Sequence, residues 1–186
     1  MPRIPNVSPD AMTAEQRRVY DAIVGARNTP PVGPLAVAMH HPKLAEVMSA
    51  VGVVLRFNST FAPRLREFAI LTVGRHWDSQ FEWASHEGEG RKAGLSEESI
   101  ATLKAGGSRF AQADEQAIHD YAHELLANRF VSDPTFQRAQ GLFGTAGVVE
   151  LTGLIGYYGM VSVMLNAAEV EVPAGLPTLP PRTAQP

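Results

Sequence analysis

The chain has 186 residues, of which 45% are hydrophobic and 19% are charged, a composition typical of one folded globular domain rather than of a disordered chain. Its formal net charge is −3 and it contains no block of basic residues, which argues against nucleic-acid binding through phosphate neutralisation. Because there is no cysteine, disulfides, thiolate nucleophiles and thiol-based redox chemistry are excluded.

The N-terminal part of the chain is predicted to be an extended arm followed by a helix. Residues 1–13 contain three prolines, which disfavour regular structure. Thr13, with Gln16 three positions later, forms the pattern of a capping box and predicts a helix that ends near Ala26. The Pro- and Gly-containing residues 28–34 are predicted to be a loop.

Three longer helices follow, and prolines or caps mark their starts. Pro42 opens the second helix, which carries apolar residues at helical spacing to about residue 57. The third helix runs from about Pro63 to His76 and is apolar around most of its circumference, which predicts that it is buried. The fourth begins near Ser79 and ends before Gly94, a residue suited to a helix C-terminus.

The second half of the chain is predicted to contain four further helices. Ser96 predicts the start of a short fifth helix, and residues 114–128 form the sixth. Asp133, followed by Pro134, predicts the start of a seventh. The eighth and last helix is predicted over residues 146–169.

No segment shows the alternation expected of a strand, so the predicted fold class is all-α with extended ends. The predicted organisation is an arm over residues 1–13, a single helical domain over 14–170 and a proline-rich tail over 171–186. There is no apolar segment of a secretory signal, and the longest apolar run, residues 151–165, is too short to cross a bilayer. We therefore expect a cytoplasmic protein without membrane association.

A row of small residues follows the last predicted helix. Gly153, Gly156, Gly159 and Ser162 recur at every third position. Glycine within a helix costs roughly 1 kcal/mol relative to alanine, so the row indicates a groove that another backbone approaches closely, unless the spacing is incidental.

The residues best suited to chemistry lie between the third and fourth helices. Ser79, Glu82 and His86 are spaced i, i+3 and i+7 and therefore share one helix face. Glu67 lies on the apolar third helix, where a buried carboxylate needs a partner, and His86 is the obvious candidate. Such a pair is either an acid–base device that works near neutral pH or a structural contact between two helices.

A second group of polar residues lies on the sixth helix. Glu115, His119 and His123 follow one another at intervals of four, and two histidines at i, i+4 have the spacing of half a metal site. Because no neighbouring segment offers a third ligand, we predict that these are surface residues and that the protein has no metal site. Tyr157 and Tyr158 on the last helix are predicted to pack in the core or to line a pocket.

Four segments carry a resemblance to a known family. They are Arg-Glu with the following Leu over residues 66–71, Glu-Trp-x-x-His over 82–86, Ala-Gly-Leu-Ser over 93–96 and the apolar helix over 153–167. On these segments the chain resembles the carboxymuconolactone decarboxylase and alkylhydroperoxidase D-like superfamily, over roughly residues 40–170. The resemblance implies an alkylhydroperoxidase D-like helical domain that assembles into a homo-oligomer.

The peroxidase branch of that family uses a glutamate, two cysteines and a histidine. The matching glutamate and histidine are Glu67 and His86, but Ser79 and Glu82 occupy the cysteine positions. Neither a hydroxyl nor a carboxylate replaces a thiol in peroxide reduction, so peroxidase activity would need an added metal or haem.

The decarboxylase branch lacks the cysteine pair and has a Glu-x-x-x-His segment. The resemblance to it implies a cofactor-independent lyase that removes CO2 from a small lactone or aromatic-breakdown acid. His86 would be the general acid–base group, and Glu82 and Glu67 would orient it. The residues expected to bind or surround the substrate are Ser79, Trp83, Phe81 and Arg75, with Arg64 as an alternative to Arg75.

Two other classes of function stay open at this point. One is a non-catalytic helical protein that binds a small molecule or forms a structural oligomer and uses the Glu–His pair as a structural contact. The other is a metalloprotein in which His86, Glu67 and Glu82 are ligands. The chain is longer at its N-terminus than the lactone decarboxylases, so the resemblance does not fix the substrate.

Overall fold

The structure is a computed structural model that describes residues 2–180 and has no strand within that range. It contains eight α-helices, preceded by a short 3-10 turn at Pro9–Ala11. This confirms the all-α class. The helices are α1 (Ala14–Arg27), α2 (Pro34–Ala38), α3 (Pro42–Phe57), α4 (Pro63–His76), α5 (Gln80–Lys92), α6 (Glu97–Lys104), α7 (Ala113–Asn128) and α8 (Asp133–Ala168).

Most helix ends lie where local sequence signals predicted them. The Thr13 hydroxyl accepts a hydrogen bond from the Gln16 backbone N–H at 3.2 Å, and the Gln16 side chain accepts one from the Thr13 N–H at 2.9 Å. This reciprocal capping box confirms the predicted start of α1. Pro42 and Pro63 are the first residues of α3 and α4, where a missing N–H costs nothing.

Two elements differ from the predictions. The short helix α2 was not predicted, because its five residues are too few to show a period in the sequence. The predicted seventh and eighth helices form one element, α8, which is broken internally at Gly144, where φ is 68° and ψ is 176°. Glycine tolerates this positive φ, so the chain interrupts the helix for one residue and then continues it.

The core is built around α4, which packs against α5, α7 and α8. Its residues 67–74 are all buried, which confirms the predicted burial of this helix. Residues of α8 such as Leu151, Leu154 and Ile155 complete the core from the other side. The helices α1 and α3 pack against each other, and α2 packs between α3 and α8. The central position of α4 places Glu67 inside the domain, next to α5.

Both chain ends lie along the helical domain. The Arg3 N–H donates to the Ala168 carbonyl at 2.9 Å, and the Arg3 guanidinium lies 2.7 Å from the Glu169 carboxylate. On the other end of the chain, the Leu179 N–H donates to the Gln80 side chain at 2.9 Å, and the Leu179 side chain is buried. The last six residues of the predicted tail, 181–186, and Met1 lie outside the described residues.

Helix α8 is long and apolar enough to cross a membrane, and among the described helices it is the one that meets both criteria. The apolar run that was predicted to be too short to cross a bilayer covers residues 151–165. The helix that contains it begins at Asp133, continues through Gly144 and has 36 residues. Of its most apolar window, 44% is buried inside the domain. A core helix of a soluble protein satisfies the same criteria, so this feature by itself is weak support for a membrane location.

Helix α3 carries a row of apolar side chains on its outer surface. On α3, Leu44, Val47, Val51 and Val54 are 38%, 60%, 41% and 55% exposed. Their spacing of three, four and three residues places them in one row along the helix. We call this row the α3 stripe.

The row of small residues on α8 is divided between two environments. A Cβ added at Gly153 or Gly156 would meet no atom within 4 Å, so these positions lie at an open surface. Gly159 and Ser162 are buried in the domain. Each step of three residues turns the helix by about 300°, so the row rotates out of the surface and into the core. The expected groove therefore extends over only part of its predicted length.

Candidate active site

The centre of the candidate site is His86 on α5, whose ring lies between two carboxylates. Its Nδ1 atom is 2.6 Å from Oε2 of Glu67 on α4, and its Nε2 atom is 3.1 Å from Oε1 of Glu82, one turn earlier on α5. All three side chains are buried. The expectation that Glu67 has His86 as its partner is confirmed.

The two carboxylates keep the imidazole charged. Burial by itself lowers the pKa of His86, but the charge of Glu82 and the hydrogen bonds to Glu67 and Glu82 outweigh it and raise the pKa to about 9. Burial likewise acts to raise the pKa of Glu67, yet the hydrogen bond and charge of His86 hold it below its ordinary value. At neutral pH the ring is therefore an imidazolium that donates one N–H to each carboxylate.

Neighbouring groups position the triad formed by Glu67, Glu82 and His86. The Arg66 guanidinium lies 3.4 Å from Oε1 of Glu67, and the charge of Arg56 also contributes to the lowered pKa of that carboxyl. The Tyr158 ring meets the His86 ring edge to face, with centroids 5.6 Å apart. Burial raises the pKa of the Tyr158 hydroxyl well above its ordinary value, so this group is a neutral hydrogen-bond donor.

A cavity of about 150 Å³ lies beside the triad, and both Glu82 and His86 line it. Apolar surface comes mainly from aromatic and aliphatic side chains of α2, α5 and α8, while Arg27 from α1 and Arg56 from α3 supply positive charge. Val32 and Ser85, which are both exposed, mark the side that is open to solvent. An imidazolium and two guanidiniums around a partly apolar cavity favour a small organic anion as the occupant.

The wall that faces α5 is formed by the segment between α1 and α2. Its Gly33 has a φ of 54°, and a Cβ at that position would overlap the ring of Phe81. Glycine therefore permits this segment to lie directly against α5. Arg27 is oriented by hydrogen bonds from its Nε and Nη2 atoms to the hydroxyl and carbonyl of Ser49, at 3.1 and 3.2 Å.

Of the residues proposed from the sequence, the structure brings four together. Phe81, Glu82 and His86 line the cavity, and Glu67 lies directly behind His86. Tyr158, which the sequence analysis had left between core and pocket, both packs on His86 and lines the cavity.

The other proposed residues lie elsewhere. Trp83 follows Glu82 by one position, about 100° around α5, and so faces a different side of the helix, where it is fully buried and its indole N–H donates to Glu87. Ser79 precedes α5 and is fully buried, and within the described residues its hydroxyl has no hydrogen-bond partner. Neither residue lines the cavity.

The arginines expected to anchor a carboxylate are also directed away from this cavity. Arg64 pairs with Asp114 and Glu115 on α7, and Arg75 lines a second cavity. The cavity beside His86 is instead lined by Arg27 and Arg56. They were missed because α1 and α3 carry no local motif that links them to His86, and only the packing of the helices brings them there.

Within residues 2–180, no group of three histidine, aspartate or glutamate side chains is placed to hold a metal ion. Comparison of the chain with protein-family models, with curated proteins and with solved structures finds no match. The resemblance therefore stays an expectation from the four sequence segments that carry it.

Proposed function

We propose that the protein is a cofactor-independent lyase of the carboxymuconolactone decarboxylase type, acting on a small lactone or aromatic-breakdown acid. The observation that carries this proposal is the imidazolium of His86, held by Glu67 and Glu82 in the wall of a cavity that also contains two arginines. A group that delivers a proton and cations that position an acid are what such a decarboxylation needs.

In this proposal Arg27 and Arg56 position the acid and His86 completes the reaction. The C–C bond to the departing carboxylate breaks, CO2 leaves, and the electron pair remains on the substrate as an enolate conjugated with its lactone carbonyl. The apolar surface of Phe81 and the hydroxyl of Tyr158 suit the delocalised charge of that enolate.

The protonation step uses the Nε2–H of His86. This proton moves to the enolate carbon, which leaves a neutral imidazole whose Nδ1–H still donates to Glu67. Glu82 must yield its contact with Nε2 as the substrate approaches, and solvent at the open side of the cavity then restores the proton. Glu67 keeps the ring in one orientation throughout.

The competing proposal is a non-catalytic protein that binds a small molecule or is purely structural. It is favoured by the burial of His86, which is only 4% exposed and has both ring nitrogens occupied by carboxylates. In that case the triad would mainly fasten α5 to α4.

The test measures turnover of carboxymuconolactone and of a panel of related lactone acids. Turnover is detected as CO2 release and as loss of ultraviolet absorbance. We expect His86→Gln to lower kcat by at least about 100-fold, since a positioned general acid typically contributes that much or more. Glu89→Gln, an exposed carboxylate on the same helix, is the matched control and should keep full activity.

Circular dichroism and urea unfolding of each variant separate the two proposals. A folded His86→Gln variant without activity supports the lyase. No turnover of any acid by the folded native protein, or full turnover by the folded variant, would refute it. Loss of the fold in His86→Gln combined with no native turnover would support the structural alternative.

We also propose that the protein is a homo-oligomer, and the α3 stripe supports this. Apolar residues repeated at intervals of three and four on an outer helix face form the pattern with which helices pack against each other. Val149 and Val163 of α8, which are 67% and 46% exposed, provide further apolar surface beside the open glycines Gly153 and Gly156. Multi-angle light scattering of the native protein tests this, and a monomer at all concentrations would refute it.

A further inference from the structure

A second cavity, of about 210 Å³, lies on the side of α4 where Arg75 projects, between α4, the end of α6 and α7. Three histidines line it: His76 of α4, and His119 and His123 of α7. His119 and His123 were predicted to be surface residues without a third metal ligand nearby. The packing of α4 against α7 places His76 beside the same cavity, but within the described residues the three rings are not placed to hold a metal ion.

The two histidines of α7 are stacked one turn apart. Their rings are nearly parallel, with an interplanar angle of 5° and centroids 5.9 Å apart. His119 also packs against the ring of Phe110, and its side chain is 12% exposed. Its Nδ1 atom is buried and has no hydrogen-bond partner in the described part of the chain, because the nearest carboxylate oxygen, on Asp120, is 3.6 Å away. This atom is closed off from solvent, so an occupant of the cavity would meet the other part of the His119 ring.

Arg75 provides a positive group with free hydrogen-bonding capacity. Its Nε atom donates to the Lys104 carbonyl at 3.2 Å, and its Nη1 atom pairs with Asp78. Within residues 2–180 its Nη2 atom makes no hydrogen bond, and this atom lies 3.2 Å from where a Cβ would be on Gly106. Because residue 106 is glycine, this end of the guanidinium stays uncovered.

We propose that this second cavity binds a phosphate group, either as the free ion or on a small ester. The carboxylates near the cavity are already paired, Asp78 with Arg75 and Asp120 with Arg138, and the Thr72 hydroxyl donates to the Phe68 carbonyl. The groups left for an occupant are the Nη2 atom of Arg75 and the imidazoles, each of which has one N–H when neutral and two when protonated. A tetrahedral oxyanion presents enough oxygens to satisfy the guanidinium and the imidazoles together.

The histidines also make binding dependent on pH. Burial lowers the pKa of His76 and His119, and the proximity of His123 lowers both further, so both rings are neutral at neutral pH. A bound anion favours their charged forms and therefore takes up protons. The charged groups beside the imidazoles are Arg75 and Asp78 near the end of α4, and Asp120 of α7 with its partner Arg138 of α8. The Lys104 ammonium is directed elsewhere, to the Glu87 carboxylate.

The experiment titrates the full chain with sulfate, inorganic phosphate and a small phosphate monoester. Calorimetry measures affinity, and nitrogen-detected NMR of the histidine rings identifies the site. Sulfate stays a dianion over the range used, so its pH dependence reports protons taken up by the protein alone. We expect sulfate to bind at least about tenfold more tightly at about pH 6 than at about pH 8.

Variants assign the binding to this cavity. His123→Gln removes an exposed ring and Arg75→Gln removes the guanidinium whose Nη2 atom is unbonded, and each should weaken binding by at least about tenfold. Arg109→Gln, an exposed arginine that does not line the cavity, is the matched control and should bind as the native protein does. The monoester and the free ion are distinguished by which of the two binds more tightly.

Three results would overturn the proposal. The first is no change in the ring signals of His76, His119 and His123 at saturating phosphate. The second is an unchanged affinity in the folded His123→Gln variant. The third is tight retention of Zn²⁺ by these rings with no response to phosphate, which would make the cavity a metal site.

Discussion

Deprotonation of His86 is expected to destabilise the folded protein. Its pKa is raised from the ordinary 6.5 to about 9 by Glu82 and Glu67, in spite of its burial. At about 1.4 kcal/mol per pH unit, this difference corresponds to about 3 kcal/mol of folding free energy. That is a large share of the total stability of a domain of this size.

The sign of the effect follows from the direction of the shift. A group whose pKa is higher in the folded state stabilises it fully below the unfolded pKa, and this stabilisation is lost as the pH rises through the folded pKa. The loss should therefore extend from about pH 6.5 to about pH 9. Glu67, His76 and His119 have lowered pKa values, so they change the free energy of unfolding only at lower pH.

The assay is urea unfolding followed by circular dichroism at a series of pH values from about 6 to about 10, with NMR titration of His86 alongside. In the Glu82→Gln variant, the free energy of unfolding should decline clearly less over this pH range. This substitution removes the charge that contributes most to raising the pKa of His86. The free energy of unfolding of the Glu89→Gln variant should decline with pH as that of the native protein does. A native free energy of unfolding that is flat over this range, or a measured His86 pKa near its ordinary value, would refute the reasoning.

Three further predictions concern the fold and the surface. Gly33→Ala should lower the free energy of unfolding by about 2 kcal/mol, because φ is positive there and the new Cβ would overlap Phe81; an unchanged urea midpoint would contradict this. Thr13→Ala should cost about 1 kcal/mol by removing the capping box of α1, measured in the same way, whereas Thr13→Ser should cost little. Val54→Glu should dissociate the proposed oligomer, because it would bury an unpaired charge in the α3 stripe, and light scattering would detect the lower mass. Asp21→Lys, at an exposed position of α1, is the control and should leave the mass unchanged. A Val54→Glu protein that keeps the native mass would argue against the α3 stripe as an interface.

Local signals in the sequence were sufficient for most of the helices. Thr13, Pro42 and Pro63 mark helix starts whose chemistry depends only on the next few residues, and all three lie where they were expected. α2 could not be found in this way, because its helical state depends on burial against α3 and α8 rather than on a period of its own. The continuation of α8 through Gly144 likewise depends on how both halves pack in the core.

The candidate site was predictable only where a burial argument applied. Glu67 on an apolar helix required a partner, and the spacing along α5 made His86 the candidate. Arg27 and Arg56 carry no such signal, because each lies in the last turn of its helix, where a basic residue is favoured without any site, and reaches the cavity only through tertiary packing. Arg75 has the right chemistry but projects from α4 toward α7, which no pattern within α4 indicates.

The cavity beside His86 has two walls of different origin. The proton-bearing groups belong to α4 and α5 in the middle of the chain, whereas Arg27 and Val32 come from the segment before α2. In the proposed reaction, the transfer of the proton and part of the selection of the acid would therefore depend on separate stretches of sequence, with Arg56 of α3 sharing the second role. Exchanging residues 27–33 for a segment of different charge and size should then change which acids are converted, while the titration of His86 stays unchanged.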